Sequence, residues 1–219
     1  MLCIVTAGPT YEPMDQVRRL TNFSTGRLGT ELANFLTARG HEVTLLLGEQ
    51  ATHRGERQAQ YLEPFTTTAN LLEKFQALAA PDVGAVFHAA AVSDFTFGKI
   101  WQRTVSGELS EIQAGKISTR VGTLLAELVP TPKLLAGLRP LFPRAKVVGW
   151  KYEVEGGQAS VLRAAEDQLR DCRTDACVAN GRAYGLGFGL VTGAGRCEHF
   201  RETTALFEAL EKLLRPQVE

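Results

Sequence analysis

An α/β fold built on a mostly parallel sheet is the fold class this sequence predicts. Short apolar runs alternate with amphipathic stretches along most of the chain, as β-α-β units require. The 219 residues suit one such domain, spanning 1–219, and can bury a core without disulfides or metal. Glycines and small polar residues follow several of the apolar runs, where open α/β sheets place their ligands.

Residues 2–6 read as a buried strand. Residues 26–39 read as an amphipathic helix, with Leu28, Leu32, Phe35 and Leu36 on one face and Gly40 as its stop. A second strand follows at 42–47, a helix at 70–79 and a third, central strand at 83–91. Residues 132–138 suggest a short helix with Pro132 near its start, where a missing N–H costs least. A strand at 146–150, a helix at 159–172, a strand at 176–179 and a closing helix at 202–214 complete the alternation. Two segments interrupt it. Residues 95–120, long, polar and irregular, read as an active-site flap or a dimer arm. Residues 181–195, rich in glycine and aromatics, read as a loop and hairpin at a sheet edge.

Lys+Arg and Asp+Glu both number 24, so the formal net charge is zero. A duplex nucleic-acid binder needs surplus positive charge, so nucleic acid is not an expected partner. The four cysteines, Cys3, Cys172, Cys177 and Cys197, lack a C-x-x-C spacing and read as small buried residues in a reducing compartment. The N-terminus enters an apolar run at once, without a basic region or a cleavage site, and no apolar stretch approaches a membrane span. A cytoplasmic protein without a membrane partner is expected.

The loop TAGPT at 6–10 leaves the first strand at its carboxyl end; Gly8 lets backbone approach a ligand and Thr10 offers a hydroxyl. The string NFSTGRLG at 22–29 opens a helix with a small polar cluster and two glycines three residues apart. Free N–H groups and the helix dipole favour an anion there, with Ser24 and Thr25 as added donors or as plain helix caps. It is neither a Walker A loop nor a strict G-x-G-x-x-G. The string AAAVSD at 89–94 ends the third strand in small side chains and a carboxylate. A flat ring fits against such a strand end, and Asp94 is placed to accept from ribose or base or to hold a metal. His88 reads as a core residue. Lys116, at the end of the flap, is a point charge that can close over phosphates or simply sit in water. Asn180, at the carboxyl end of a short strand, reads a base edge or makes a turn. The string GLGFG at 185–189 precedes no clear helix and reads as structural.

Taken in order, VTAGPT (5–10), VRRLTNFSTGRLG (17–29), AAAVSDF (89–95), KIS (116–118), TPKLL (131–135), VGWK (148–151) and VAN (178–180) resemble the phosphopantothenate–cysteine ligase family. This is the phosphopantothenoylcysteine synthetase part of the DNA/pantothenate metabolism flavoproteins, and the likeness covers essentially the whole chain. It implies a modified Rossmann-like, doubly wound sheet and a homodimer formed partly through the segment after the small-residue strand. It implies coenzyme A biosynthesis: ATP or CTP with Mg²⁺ activates the carboxylate of 4′-phosphopantothenate, pyrophosphate leaves, and the amine of cysteine attacks the acyl-nucleotide. By position, the resemblance gives catalytic roles to Asn22 and Lys116. It gives nucleotide or phosphate contacts to Gly8, Ser24, Gly26, Gly29, Ala90, Asp94, Trp150 and Asn180. Metal ligands are not legible. Gln168 and Cys172 stand where many bacterial relatives have lysines, and Trp150 where relatives usually have phenylalanine. Many bacterial members are fused behind a flavin-dependent decarboxylase. No flavin is expected on this chain, and a separate decarboxylase is a further partner the resemblance offers. The competing readings are a catalytically idle relative that binds a phosphorylated ligand or partner, and an NAD(P)-dependent reductase.

Overall fold

The computed structural model describes residues 1–104, 106–113, 115–118 and 122–215. The central sheet takes β1 (Leu2–Ala7), β4 (Glu42–Gly48), β5 (Tyr61–Phe65), β6 (Val83–His88), β10 (Lys146–Tyr152), β11 (Ala176–Asn180), β12 (Phe188–Gly193) and β13 (Arg196–Phe200). Their order across its eight strands is β13-β12-β11-β10-β6-β1-β4-β5. Every pair from β5 to β11 is parallel, and β12 pairs antiparallel with both β11 and β13. The parallel strands follow the doubly wound order in which the chain turns outward on both sides of β1 and β6. The expected fold class is therefore observed.

Alternation along the strands divides the core in two. Cys3, Val5, Ala7, Val43, Leu45, Phe87, Val148 and Val178 face α1 (Arg27–Ala38) and α5 (Thr203–Lys212). Ile4, Leu46, Val86 and Val147 face α2 (Thr68–Ala77) and α3 (Leu134–Leu141). Cys177, Ala179 and Val191 face α4 (Gln158–Cys172).

Several expectations need correction. The third strand stops at His88 rather than Ala91, because the Ala90 N–H leaves the ladder and donates to Thr6 Oγ1 at 3.0 Å. Pro132 lies before α3, whose N-cap is Lys133. The hairpin runs on to Phe200. Most of the supposed irregular flap is regular. The strands β7 (Phe95–Arg103) and β8 (Leu109–Glu111) join β9 (Thr123–Pro130) in an antiparallel three-stranded sheet ordered β8-β7-β9. A small hairpin, β2 (Tyr11–Pro13) with β3 (Arg19–Thr21), packs beside β7. Residues 105, 114, 119 and 120 of the expected flap lie outside the described residues.

Candidate functional site

Because the strands from β5 to β11 are parallel, the loops after them share one sheet edge. Gly8 ends β1 with φ +83, and Gly26, with φ +80, forms the N-cap of α1. The two touch: a Cβ on Gly26 would stand 3.2 Å from Gly8 N and 3.0 Å from the Ala51 methyl. At Gly29 the same atom would meet the Ala7 methyl and Thr6 O, each at 2.7 Å, so this glycine seats α1 on β1. Gly26 brings no capping side chain, and the first turn of α1 holds no acidic residue. Thr25 Oγ1 accepts the Arg27 N–H at 3.3 Å, while the Leu28 and Gly29 N–H groups have no earlier helical partner. The cradle therefore combines close backbone approach with the positive end of a helix dipole. Ser24 is half-buried beside it.

Across the switch point between β1 and β6, Asn22 Nδ2 donates to Ala91 O and Val92 O, both at 3.2 Å. Asp94 is exposed where β7 leaves, and its carbonyl accepts from Thr131 N at 2.9 Å. Trp150 pairs in register with Val178, and Tyr152 with Asn180, so Trp150 and Asn180 lie on the sheet face that carries α1. Trp150 Nε1 and Asn180 Oδ1 are both buried with no hydrogen-bond partner among the described residues. A buried donor and acceptor left open on neighbouring strands fit a planar polar ligand.

Gly8, Asn22, Ser24, Gly26, Gly29, Ala90, Asp94, Trp150 and Asn180 thus gather along one edge. Lys116 does not join them within one chain. It is exposed, and its neighbours Gly115 and Ile117 bond to Gln16 N and to Asp15 and Arg18 at the outer end of the β2–β3 hairpin, opposite Asn22.

Other readings change. Thr10 is fully buried; its Oγ1 accepts the Ser93 N–H at 2.8 Å and donates to Ser93 Oγ at 3.1 Å, so it offers nothing to a ligand. Cys197 is exposed rather than buried. Burial pushes the thiols of Cys3 and Cys177 up to about 11 and about 12, which leaves them unreactive. Gln168 turns inward and donates to Cys177 Sγ at 3.0 Å. Gly187 in the GLGFG string packs a bare backbone against Phe200 O, as a structural turn does. Sequence reasoning missed Glu12, a buried carboxylate that accepts the Thr68 N–H at 3.0 Å at the start of α2. A lone acidic residue in a predicted loop gave no signal for it.

Residues 2–195 match the DNA/pantothenate metabolism flavoprotein C-terminal domain. The chain belongs to this family. A curated relative is the coenzyme A biosynthesis bifunctional protein CoaBC of Thermococcus kodakarensis, 31% identical over 195 residues. That match covers 88% of this chain and 44% of the relative, so the chain spans under half of that protein's length. Among solved structures, the DNA/pantothenate metabolism flavoprotein from Streptococcus pneumoniae aligns with TM-score 0.84 and 24% identity over 98% of both chains. A Cab2 mutant, H337A, in complex with phosphopantothenate-cysteine aligns with TM-score 0.72 and 19% identity. The alignment covers 97% of this chain and 84% of Cab2. At these identities the structures show the fold alone.

Proposed function

We propose that this chain ligates 4′-phosphopantothenate to cysteine with a nucleoside triphosphate, ATP or CTP, as a step in coenzyme A biosynthesis. One observation carries the reading: a helix N-terminus without a capping side chain shares an edge and a face with the unpartnered Trp150 Nε1 and Asn180 Oδ1. The strands β1 and β10 are two spacings apart, roughly 10 Å, which suits the separation of a nucleotide's phosphates from its base. In this reading, phosphates rest on Gly8, Ser24, Gly26 and Gly29, and the base and ribose meet Ala90, Asp94, Trp150 and Asn180.

The chemistry follows from the substrate. A carboxylate is a poor acyl donor, so it first takes the nucleotide's α-phosphoryl group as pyrophosphate departs. The amine of cysteine then displaces the nucleotide. Catalysis needs positioning and charge stabilisation more than proton transfer. Asn22 reaches from the start of the cradle to the loop after β6, and the acyl phosphate is proposed to lie beside it. Lys116 fits the role of countercharge to pyrophosphate only if it comes from a partner or if the arm moves. Mg²⁺ belongs to the reading as companion of the triphosphate. Among the described residues no three His, Cys, Asp or Glu side chains form a metal cage.

A homodimer belongs to the same proposal. The arm and the nearby hairpin expose Phe95, Leu128, Val129, Leu20 and Phe23, a surface suited to a second copy. Among the described residues no helix is long and apolar enough to cross a membrane; a cytoplasmic location and a separate flavin-dependent decarboxylase as partner complete the proposal.

The deciding assay supplies 4′-phosphopantothenate, cysteine, Mg²⁺ and ATP or CTP, and measures pyrophosphate and the amide product. Release that requires phosphopantothenate is expected. No release with either nucleotide overturns the ligase and leaves an idle relative.

A further inference from the structure

We infer that His88, buried beneath the crevice, is a positioning residue that fixes the strand end against which Asn22 leans. Only its kinetic test rests on the ligase reading. The ladder between β1 and β6 ends with the pair Thr6–His88 and resumes at a single bridge, Pro9–Ala91. Between them the regular ladder is interrupted. The Ala90 N–H, deprived of a main-chain partner, donates to Thr6 Oγ1 at 3.0 Å. Beyond the gap, Ala91 N donates to Gly8 O at 3.0 Å, and Ala91 O and Val92 O accept from Asn22 Nδ2.

A threonine hydroxyl has one hydrogen. With its lone pair facing the Ala90 N–H, that hydrogen is free for His88 Nδ1, which lies 2.9 Å from Thr6 Oγ1. Thr6 is fully buried and His88 nearly so, with its ring edge-on to Phe75. Nδ1 is therefore the acceptor and Nε2 carries the proton. A proton on Nδ1 would instead make the hydroxyl oxygen accept from both His88 and Ala90, and would leave its own hydrogen with neither of those partners to donate to. His88 thus takes the hydroxyl hydrogen, which leaves a Thr6 lone pair to the Ala90 N–H, one residue ahead of the carbonyls that hold Asn22. Packing alone would be served by an apolar side chain, as at Ile4 and Val86 on the same face.

The test joins nitrogen NMR of the imidazole, hydrogen exchange at the Ala90 amide, and steady-state kinetics. Nδ1 is expected without a proton at pH 7. His88→Leu and Thr6→Val should each speed Ala90 exchange by about tenfold, and the double variant should add less than twofold to either. Each single change should lower kcat for phosphopantothenate-dependent pyrophosphate release by about tenfold while the KM for cysteine stays level. His88→Asn and Thr6→Ser, which keep an acceptor and a hydroxyl, should restore exchange and kcat to within about twofold. A protonated Nδ1, wild-type Ala90 exchange in His88→Leu, or unchanged kcat in that variant overturns the inference. Should the wild-type chain release no pyrophosphate, the ligase reading falls, and the NMR and exchange results still decide the role of His88.

Discussion

The two halves of the carboxyl edge are built differently. Around β1 and β6 several polar groups are satisfied: Thr6 with Ala90 and His88, Thr10 with Ser93, Glu12 with Thr68, and Asn22 with two carbonyls. At the ends of β10 and β11, Trp150 Nε1 and Asn180 Oδ1 are buried and open. A satisfied network holds a shape before anything binds, whereas an unpaired buried group costs stability until a ligand meets it. The first half is a frame. The second is where binding energy remains to be gained.

Acid should attack the frame first. Burial lowers the pKa of His88 from 6.5 to about 4, so the folded protein favours the neutral ring. The unfolded chain takes up the proton first as pH falls. Stability tied to His88 is therefore complete above pH 6.5 and is lost progressively down to about 4, by about 3 kcal/mol. Denaturant titrations across that window should show the loss in the wild type and not in His88→Asn. Next in size, Asn22→Asp places a carboxylate against the carbonyls of Ala91 and Val92 and against incoming phosphate. Single-turnover acyl-nucleotide formation should fall about 10²-fold.

The open half should respond in the opposite sense. Asn180→Ala removes an unpaired acceptor, so the nucleotide-free Tm should hold or rise while the nucleotide KM increases about tenfold. Trp150→Phe deletes one N–H and keeps the ring, and the same two measurements should show a rise in KM of about threefold. A lower Tm in either variant, measured without nucleotide, would erase the contrast between the halves.

The parallel strands were legible because runs such as CIV at 3–5 and VVG at 147–149 are buried on both faces and need no alternation to be seen. The glycine cradle was legible for a similar reason: a strand, a small-residue turn and a helix are adjacent in sequence. The arm was not. Its β9 reads TLLAELVP, an apolar string without period-2 order, and β7 contains Gly98 and shifts register between Phe97 and Ile100. The hairpin strands β2 and β3 have three residues each, too few to show a period. Within the site, the pairing of Thr6 with His88 spans 82 positions and exists only once the sheet has its order. The positions of Trp150 and Asn180 were suggested by resemblance, but their unpaired atoms depend on what every neighbour leaves undone.

The arm leaves and re-enters the sheet through a narrow neck. Thr131 N donates to Asp94 O at 2.9 Å, Thr131 Oγ1 to Ser93 O at 2.5 Å, and Phe95 stands opposite Pro130. The outgoing and returning chains are thus stitched side by side, and the thirty-odd residues beyond contribute nothing to the winding order. Such a doorway tolerates exchange of whatever lies past it. Shortening or replacing the arm would redesign what the molecule docks against while the glycine cradle is inherited intact.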